Sequence, residues 1–411
     1  MSASPASRAR SVRSSILVAL GCLYLAQGVP FGFATEYLPV VLRERGFSYA
    51  AIAALSWLQL PWQLKIFWAK AADAPRLRAR TRIVILVMQL ALTLNVAAFA
   101  LRPLGDAKTL WFALTAVAAA IAATQDVFVD AFAVRVLRPD ERGFGNTAQV
   151  AGYRVGMLVG GAALLMLVGA LGERTTLLAC AAVVLLASVG AFVSAEEAAP
   201  AAQDAAAPRA TPLAPFVRSL LRREALVVIV LAATFKLGLH MASSILKPMT
   251  VDYGWTKTQI GLAVVTFGTA SALAGAVAGG ALHRVVKEKR ALVFAALFQA
   301  AVCLPLVVVD RLHAPYALTT FAIALEHFAS GLGTTVLFAA LMSATRPADA
   351  GLHYTVLTSA NALAIGVGGL VGGALADLAG KSATFVVATI TSLAPLFLLR
   401  TWDEAAEASR A

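Results

Sequence analysis

The sequence predicts an all-α membrane protein with twelve transmembrane helices in two pseudo-symmetric six-helix bundles. Three observations predict it. Of 411 residues, 60% are hydrophobic and only 14% charged, with a mean hydropathy of +0.79. A soluble domain has roughly 45–50% apolar and about 25% charged residues. The apolar residues fall in twelve runs, most near the roughly 20 residues a helix needs to cross a bilayer. Short motifs also recur between the two halves of the chain at one offset. Too little polar surface remains to solvate a globule of this mass. That excludes a cytosolic enzyme, a nucleic-acid-binding module and a disordered chain. Cys22, Cys180 and Cys303 all lie in apolar runs, so no disulfide framework is expected.

The runs, spans 1 to 12, lie at about 15–40, 49–69, 83–101, 109–134, 147–171, 175–195, 224–250, 258–282, 291–309, 316–343, 354–378 and 382–399. They lack the apolar/polar alternation of barrel strands. Span 1 follows SRARSVRSS and could be read as a signal peptide. Eleven further spans make it an uncleaved first helix, bent at Gly28 and Pro30. Span 2 opens with Ser48 as a helix cap, holds Trp57 and Trp62 as packing residues, and ends at Lys65 and Lys70, which can snorkel. Spans 3, 6, 9 and 12 are almost purely apolar, as expected of lipid-facing helices. Span 4 carries Asp126 and Asp130 on one face. Span 5 carries Arg154 and the stripe Gly152, Gly156, Gly160, a spacing that lets helices approach closely.

Helical rise puts Asp126 about 13 Å beyond Arg135 and Arg154 about 12 Å beyond Asn146. At matching depth, Asp126 and Arg154 are expected to form an ion pair. The stretch Ser194–Arg223, with EEAAPAAQDAAAPRATPLAP, reads as a flexible linker. The expected organisation is a bundle at 1–195, a linker at 196–222 and a bundle at 223–411. Span 7 holds Lys236 and His240, and span 10 holds Glu326 and His327. Span 8 has Gly275 and Gly279, and span 11 has Gly368, Gly369, Gly372 and Gly373.

The net charge of +12 is concentrated in loops, in Lys65, Lys70, Arg76, Arg78, Arg80 and Arg82 and in Arg284, Lys287, Lys289 and Arg290. This is a positive-inside bias that sets both termini in the cytoplasm, so the basicity is topology rather than affinity for nucleic acid. The halves repeat at an offset near 208. Gly46-Phe47-Ser48 with Ile52 matches Gly254-Trp255-Thr256 with Ile260, and Arg138-Pro139 matches Arg346-Pro347. Parallel six-span repeats are the architecture of the major facilitator fold.

The chain reads LYLAQGVPFGF, YLPVVLRERGFS and PWQLKIFWAKAAD at its start, then ATQDVFVDAF, GYRVGMLVGG, FKLGLHMASS, EHFASGLGTT and AGLHYTVLTS. In order and spacing this resembles the AmpG-type muropeptide permeases, their acetyl-CoA transporter relatives and, above all, siderophore permeases of the RhtX/FptX type. The resemblance implies a proton-driven inner-membrane importer of a bulky anionic or polar solute, and the expectation is a siderophore. AmpG-type proteins carry an acidic residue after KLG where this chain has Leu239 and His240, which places a muropeptide second.

A charge at mid-bilayer costs about 2.5–3.5 kcal/mol on insertion scales, so it marks a partner or a cavity. In the resembled fold helices 1, 4, 7 and 10 line the central cavity. The substrate and proton candidates are therefore Lys236, Glu326, His240, His327, Gln27, Asp126 and Arg154. Glu36 falls near the outer surface. Lys236 lies about 20 Å from the inner end of span 7 and Glu326 about 16 Å from the outer end of span 10, so they are expected to pair and form the central site. Gly152, Gly156, Gly160, Gly368 and Gly372 are expected at the sliding contact between halves. Expected partners are a small-molecule substrate, protons and the bilayer, with no nucleic acid, metal or cofactor, and the chain acts as a monomer. Rivals are a drug exporter of the same fold, a polytopic membrane enzyme and a sensor. No HExxH, Cys/His metal spacing, Gly-rich phosphate loop or sizeable extramembrane domain supports the last two.

Overall fold

A computed structural model describes residues 14–68, 75–102, 108–136, 142–193, 220–345 and 350–402. Apart from 220–222, the expected linker 196–222 lies outside the described residues, as do Lys70, Arg138-Pro139, Arg346-Pro347 and the side chains of Arg135 and Asn146. The protein is all-helical. Among the described residues eleven helices are long and apolar enough to cross a membrane. They are α1 (Ser14–Glu44), α2 (Thr81–Leu101), α3 (Lys108–Ala133), α4 (Ala148–Leu171), α5 (Glu173–Ala191), α6 (Ala225–Asp252), α7 (Lys257–Val285), α8 (Glu288–Leu312), α9 (Tyr316–Ser343), α10 (Val356–Ala379) and α11 (Lys381–Thr401).

The expected span 2 accounts for the difference from twelve. It is broken into an α-helix at Tyr49–Ala53, a 3-10 stretch at Ala54–Gln59, an α-helix at Leu60–Leu64 and a 3-10 turn at Lys65–Phe67. Pro61 explains the break: it donates no hydrogen bond, and its ring clashes with the carbonyl four residues earlier, at Trp57.

Four glycines have positive φ: Gly46 and Gly254 (78° and 74°), and Gly172 and Gly380 (80° and 88°). Members of each pair are 208 positions apart. L-residues with a side chain avoid this backbone region, so the repeat is written in the chain reversals themselves. After the first pair come the caps. Ser48 Oγ accepts from Ala51 N at 3.2 Å, and Thr256 Oγ1 accepts from Gln259 N at 3.2 Å. The repeated Gly-aromatic-Ser/Thr motif is thus helix stop followed by helix start.

By internal contacts the chain forms two compact units, 1–37 with 58–203 and 38–57 with 204–411. In the first unit Ile16, Leu20, Leu23 and Tyr24 of α1 pack on Val127, Phe128 and Val129 of α3. Phe33, Phe99 and Trp111 form an aromatic cluster, with ring centroids 4.5 Å apart for Phe33–Phe99 and 5.1 Å for Phe99–Trp111. In the second unit Val228, Leu231 and Phe235 of α6 bury against Leu292 and Ala295 of α8, Val336 and Leu337 of α9, and Trp402. The spans expected to be almost apolar also hide amides. Gln89 of α2 and Gln299 of α8 are wholly buried.

The glycine stripes correct one expectation. A Cβ on Gly152, Gly156 or Gly160 would overlap the carbonyls of Gly21, Leu25 or Val29, so α4 lies backbone-to-backbone on α1 inside the first unit. In the second unit a Cβ on Gly368 or Gly372 would meet the carbonyls of Leu237 or Met241, so α10 lies on α6 in the same way. These five glycines weld pairs of helices within a unit rather than forming a sliding surface. Gly28 and Gly32 on the facing side of α1 leave the room that draws α4 in. Even Gly156→Ala is therefore expected to destabilise, by about 1–3 kcal/mol of overpacking. Gly156→Leu should cut the yield of folded protein in detergent. A thermal-stability assay by size-exclusion chromatography checks this, and a wild-type melting profile for both variants would contradict the close contact.

Candidate functional site

The second unit carries a polar ladder between α6 and α9. Glu326, Ser330 and Thr334 recur every four residues and so share one face of α9. Lys236, His240 and Ser243, spaced by four and three residues, share one face of α6. Lys236 Nζ donates to Ser330 O (3.3 Å), Ser330 Oγ (3.2 Å) and Thr334 Oγ1. Ser243 donates to the Glu326 carboxylate. Later residues of α6 meet earlier residues of α9, so the helices run antiparallel and the ladder extends roughly 10 Å along them.

Lys236 is 4% and Glu326 1% exposed. The expected pair is therefore brought onto one helix interface but not into contact. No ion pair joins the two charges among the described residues. Lys236 is held by uncharged acceptors, while Glu326 faces His327, whose Nδ1 lies 2.9 Å from Glu326 Oε2 and 3.0 Å from Ile323 O. The offset follows from register. Lys236 lies opposite the turn Ser330–Thr334, one turn beyond Glu326, and its own helix is interrupted there, with backbone angles φ −107° and ψ 0°. Gly268 makes room for the His327 ring, since a Cβ there would lie 2.7 Å from His327 Cδ2. His240 Nδ1 is buried without a hydrogen-bond partner among the described residues. Lys247, on the same helix, is within electrostatic reach of His240 and His327. Sequence reasoning passed over Lys247, although its position eleven residues beyond Lys236 on the same helical face could have signalled it.

The first unit carries a second charged cluster. Lys65, from the broken span, forms an ion pair with Asp126 and lies 3.7 Å from Asp130; Tyr24 donates to Asp130. The expected Asp126–Arg154 pair is not formed. Among the described residues Arg154 makes no ion pair with Asp126, because Lys65 takes that place. The break in span 2 carries Lys65 inward onto α3 instead of out to the surface. Gln27 is 1% exposed, and its Nε2 has no hydrogen-bond partner among the described residues. Glu36 packs its side-chain methylenes on Gly161.

A third cluster, in the second unit, was not anticipated. Arg43 grips Asp252 bidentately (Nε–Oδ1 2.7 Å, Nη2–Oδ2 2.9 Å), and Tyr49 donates to the same carboxylate. Asp377 accepts from the backbone N–H groups of Tyr49 (2.9 Å) and Ala50 (2.8 Å). Lys381 lies 3.5 Å from Asp252 and 3.8 Å from Asp310. Tyr253 donates to Asp310 at 2.9 Å. Burial and the Asp310 carboxylate push the Tyr253 phenol well above its ordinary range, so it remains a donor. These residues lie at helix ends, where charge in a sequence reads as ordinary surface.

The major facilitator superfamily family model matches residues 234–411, and the acetyl-coenzyme A transporter 1 family model matches residues 16–102. A transporter named AmpG 4 from Rickettsia conorii is 24% identical over 390 residues, covering 92% of this chain and 94% of that protein. The anhydromuropeptide permease of Escherichia coli K12 is 26% identical over 408 residues, covering 97% of this chain and 81% of its own length. Among solved structures, a D-xylose-proton symporter superposes with a TM-score of 0.68 at 13% identity, covering 94% of this chain and 97% of that one. A bacterial homolog of the human lysosomal transporter Spinster gives 0.68 at 13% identity over 98% and 99%. The solved structures show the fold, and the sequence matches show the kinship. The chain has the fold of these transporters, its C-terminal part matches the major facilitator superfamily model, and AmpG-type permeases are among the proteins it is similar to.

Proposed function

We propose that this transporter imports an anhydromuropeptide-class solute, bulky and anionic, across a bacterial inner membrane in symport with protons. The organisation proposed is twelve spans in bundles at 1–195 and 223–411, both termini cytoplasmic. The observation that carries the substrate class is Lys236, a buried ammonium on neutral acceptors, in a ladder whose one carboxylate, Glu326, faces His327. Such a site has cationic capacity to spare and suits a carboxylated solute. The AmpG-type relatives, matched over nearly the whole chain, favour a muropeptide over the siderophore that the resemblance to RhtX/FptX-type permeases suggested.

The test is uptake into proteoliposomes of a radiolabelled anhydromuropeptide and, in parallel, a ferric siderophore. Anhydromuropeptide accumulation that collapses on adding an uncoupler is expected. Siderophore uptake without anhydromuropeptide uptake would overturn the substrate reading. Accumulation that survives the uncoupler and requires sodium would overturn the coupling.

A further inference from the structure

We propose that the first unit holds its own proton-binding site, in which Asp126 and Asp130 of α3 share the single ammonium of Lys65, and that the proton bound at Asp130 drives uptake. This rests on the proton-coupled reading above and names where the coupling ion sits.

The argument starts from charge. Asp126 and Asp130 are four residues apart on one helical face, so their carboxylates repel. Lys65 forms an ion pair with Asp126 and reaches Asp130 only at 3.7 Å. Tyr24 of α1 donates to Asp130 but brings no charge. From α4 the neighbouring groups are Tyr153 and Arg154, and Arg154 makes no ion pair with either carboxylate among the described residues. At contact distance, among the described residues, the cluster thus has two carboxylates for one ammonium. One unit of negative charge is left over at contact distance, and a proton removes it.

The geometry also says which carboxylate takes it. The Asp126 side chain is 12% exposed and holds the tighter contact with Lys65; that of Asp130 is 50% exposed. Asp130 is the accessible and less compensated of the two. A hydronium proton forms the O–H bond on Asp130, leaving water behind. Lys65 then belongs to Asp126 alone, and the cluster is neutral. Release to water on the other side of the membrane restores the negative charge. The two units thereby differ in kind. The ladder of the second unit has cationic capacity for an anionic solute, and the cluster of the first unit has carboxylate capacity for a cation as small as a proton. Gln27 lies three residues from Tyr24 on the same face of α1, with a buried Nε2 that has no hydrogen-bond partner among the described residues, and extends the polar surface by one turn.

The experiment uses the full chain in proteoliposomes with a radiolabelled anhydromuropeptide, together with infrared pH-difference spectra of the substrate-free protein. Asp130→Asn should lower proton-driven accumulation at least tenfold, retain exchange of labelled for unlabelled solute, flatten the pH profile and remove a protonated-carboxyl band seen in the wild type. Wild-type pH dependence, or an unchanged carboxyl band, in Asp130→Asn overturns the proposal. Should Asp130→Asn fail to insert, Tyr24→Phe decides. It removes a hydrogen bond to the charged carboxylate, so the midpoint of the pH profile and of the carboxyl band should move to higher pH. An unmoved midpoint overturns the site. The infrared band is read without solute. A titrating Asp130 in a protein that does not carry the anhydromuropeptide would thus fault the substrate reading and leave the proton site standing.

Discussion

Lys236→Ala is expected to weaken binding of anionic solutes at least tenfold, a loss of about 1.4 kcal/mol, and most strongly for the most anionic ones. The ammonium is 4% exposed and rests on one backbone carbonyl and two hydroxyls. These acceptors replace part of its hydration but none of its charge. An ammonium so placed is costly to the empty protein, and an incoming carboxylate relieves that cost. Removing it should leave the fold intact, because Ser330 and Thr334 retain hydrogen bonds within their own helix: Thr334 Oγ1 donates to Ser330 O at 2.7 Å. The measurement is a binding isotherm for a series of solutes differing in carboxylate number. Equal losses for neutral and anionic members would make Lys236 a packing residue.

Glu326→Gln is expected to abolish net uptake while exchange continues. Glu326 is the carboxylate that balances the cationic side of the ladder when no solute is bound, through His327 at 2.9 Å and the Ser243 hydroxyl. A glutamine retains most of the shape and a hydrogen bond but not the charge. The empty carrier would then return across the membrane with an uncompensated ammonium, at a cost on the scale of about 2.5–3.5 kcal/mol, or roughly a hundredfold in the rate of that step. During exchange the site is always loaded and the penalty is not met. The contrast between counterflow and accumulation in the same proteoliposomes reads this out. Loss of both, in correctly inserted protein, would place Glu326 in solute binding instead. Unlike Asp130→Asn, this variant should keep the wild-type pH dependence of exchange.

These expectations separate roles that the sequence merged. From the sequence, Lys236, Glu326, Asp126 and Arg154 are all charges within apolar spans, and depth alone suggested the pairs Lys236–Glu326 and Asp126–Arg154. Depth measures position along a helix but not rotation about it. Rotation is set by packing, so a one-turn offset sends Lys236 to Ser330 and Thr334 and leaves Glu326 to His327. On a straight span 2, Lys65 would be a snorkelling surface lysine. The break before Pro61 changes where the chain runs, and Lys65 arrives at Asp126.

The sequence by itself determined what rests on bulk free energies of transfer and on backbone chemistry. The apolar fraction dictates a membrane-spanning helical chain. The 208-residue repeat was legible as two motifs because a helix stop needs a left-handed glycine and a helix start needs a hydroxyl cap, as Gly46 with Ser48 and Gly254 with Thr256 show. Small residues spaced by four announced close helix packing. Only the tertiary structure decided what those small residues touch: α4 glycines on α1 and α10 glycines on α6, inside the units. It alone brought together Arg43, Tyr49, Asp252, Asp377 and Lys381, residues from three distant stretches of the chain. A charge reports its transfer cost from its own neighbours in sequence. Its partner is chosen by side-chain reach in three dimensions, and no local pattern encodes that.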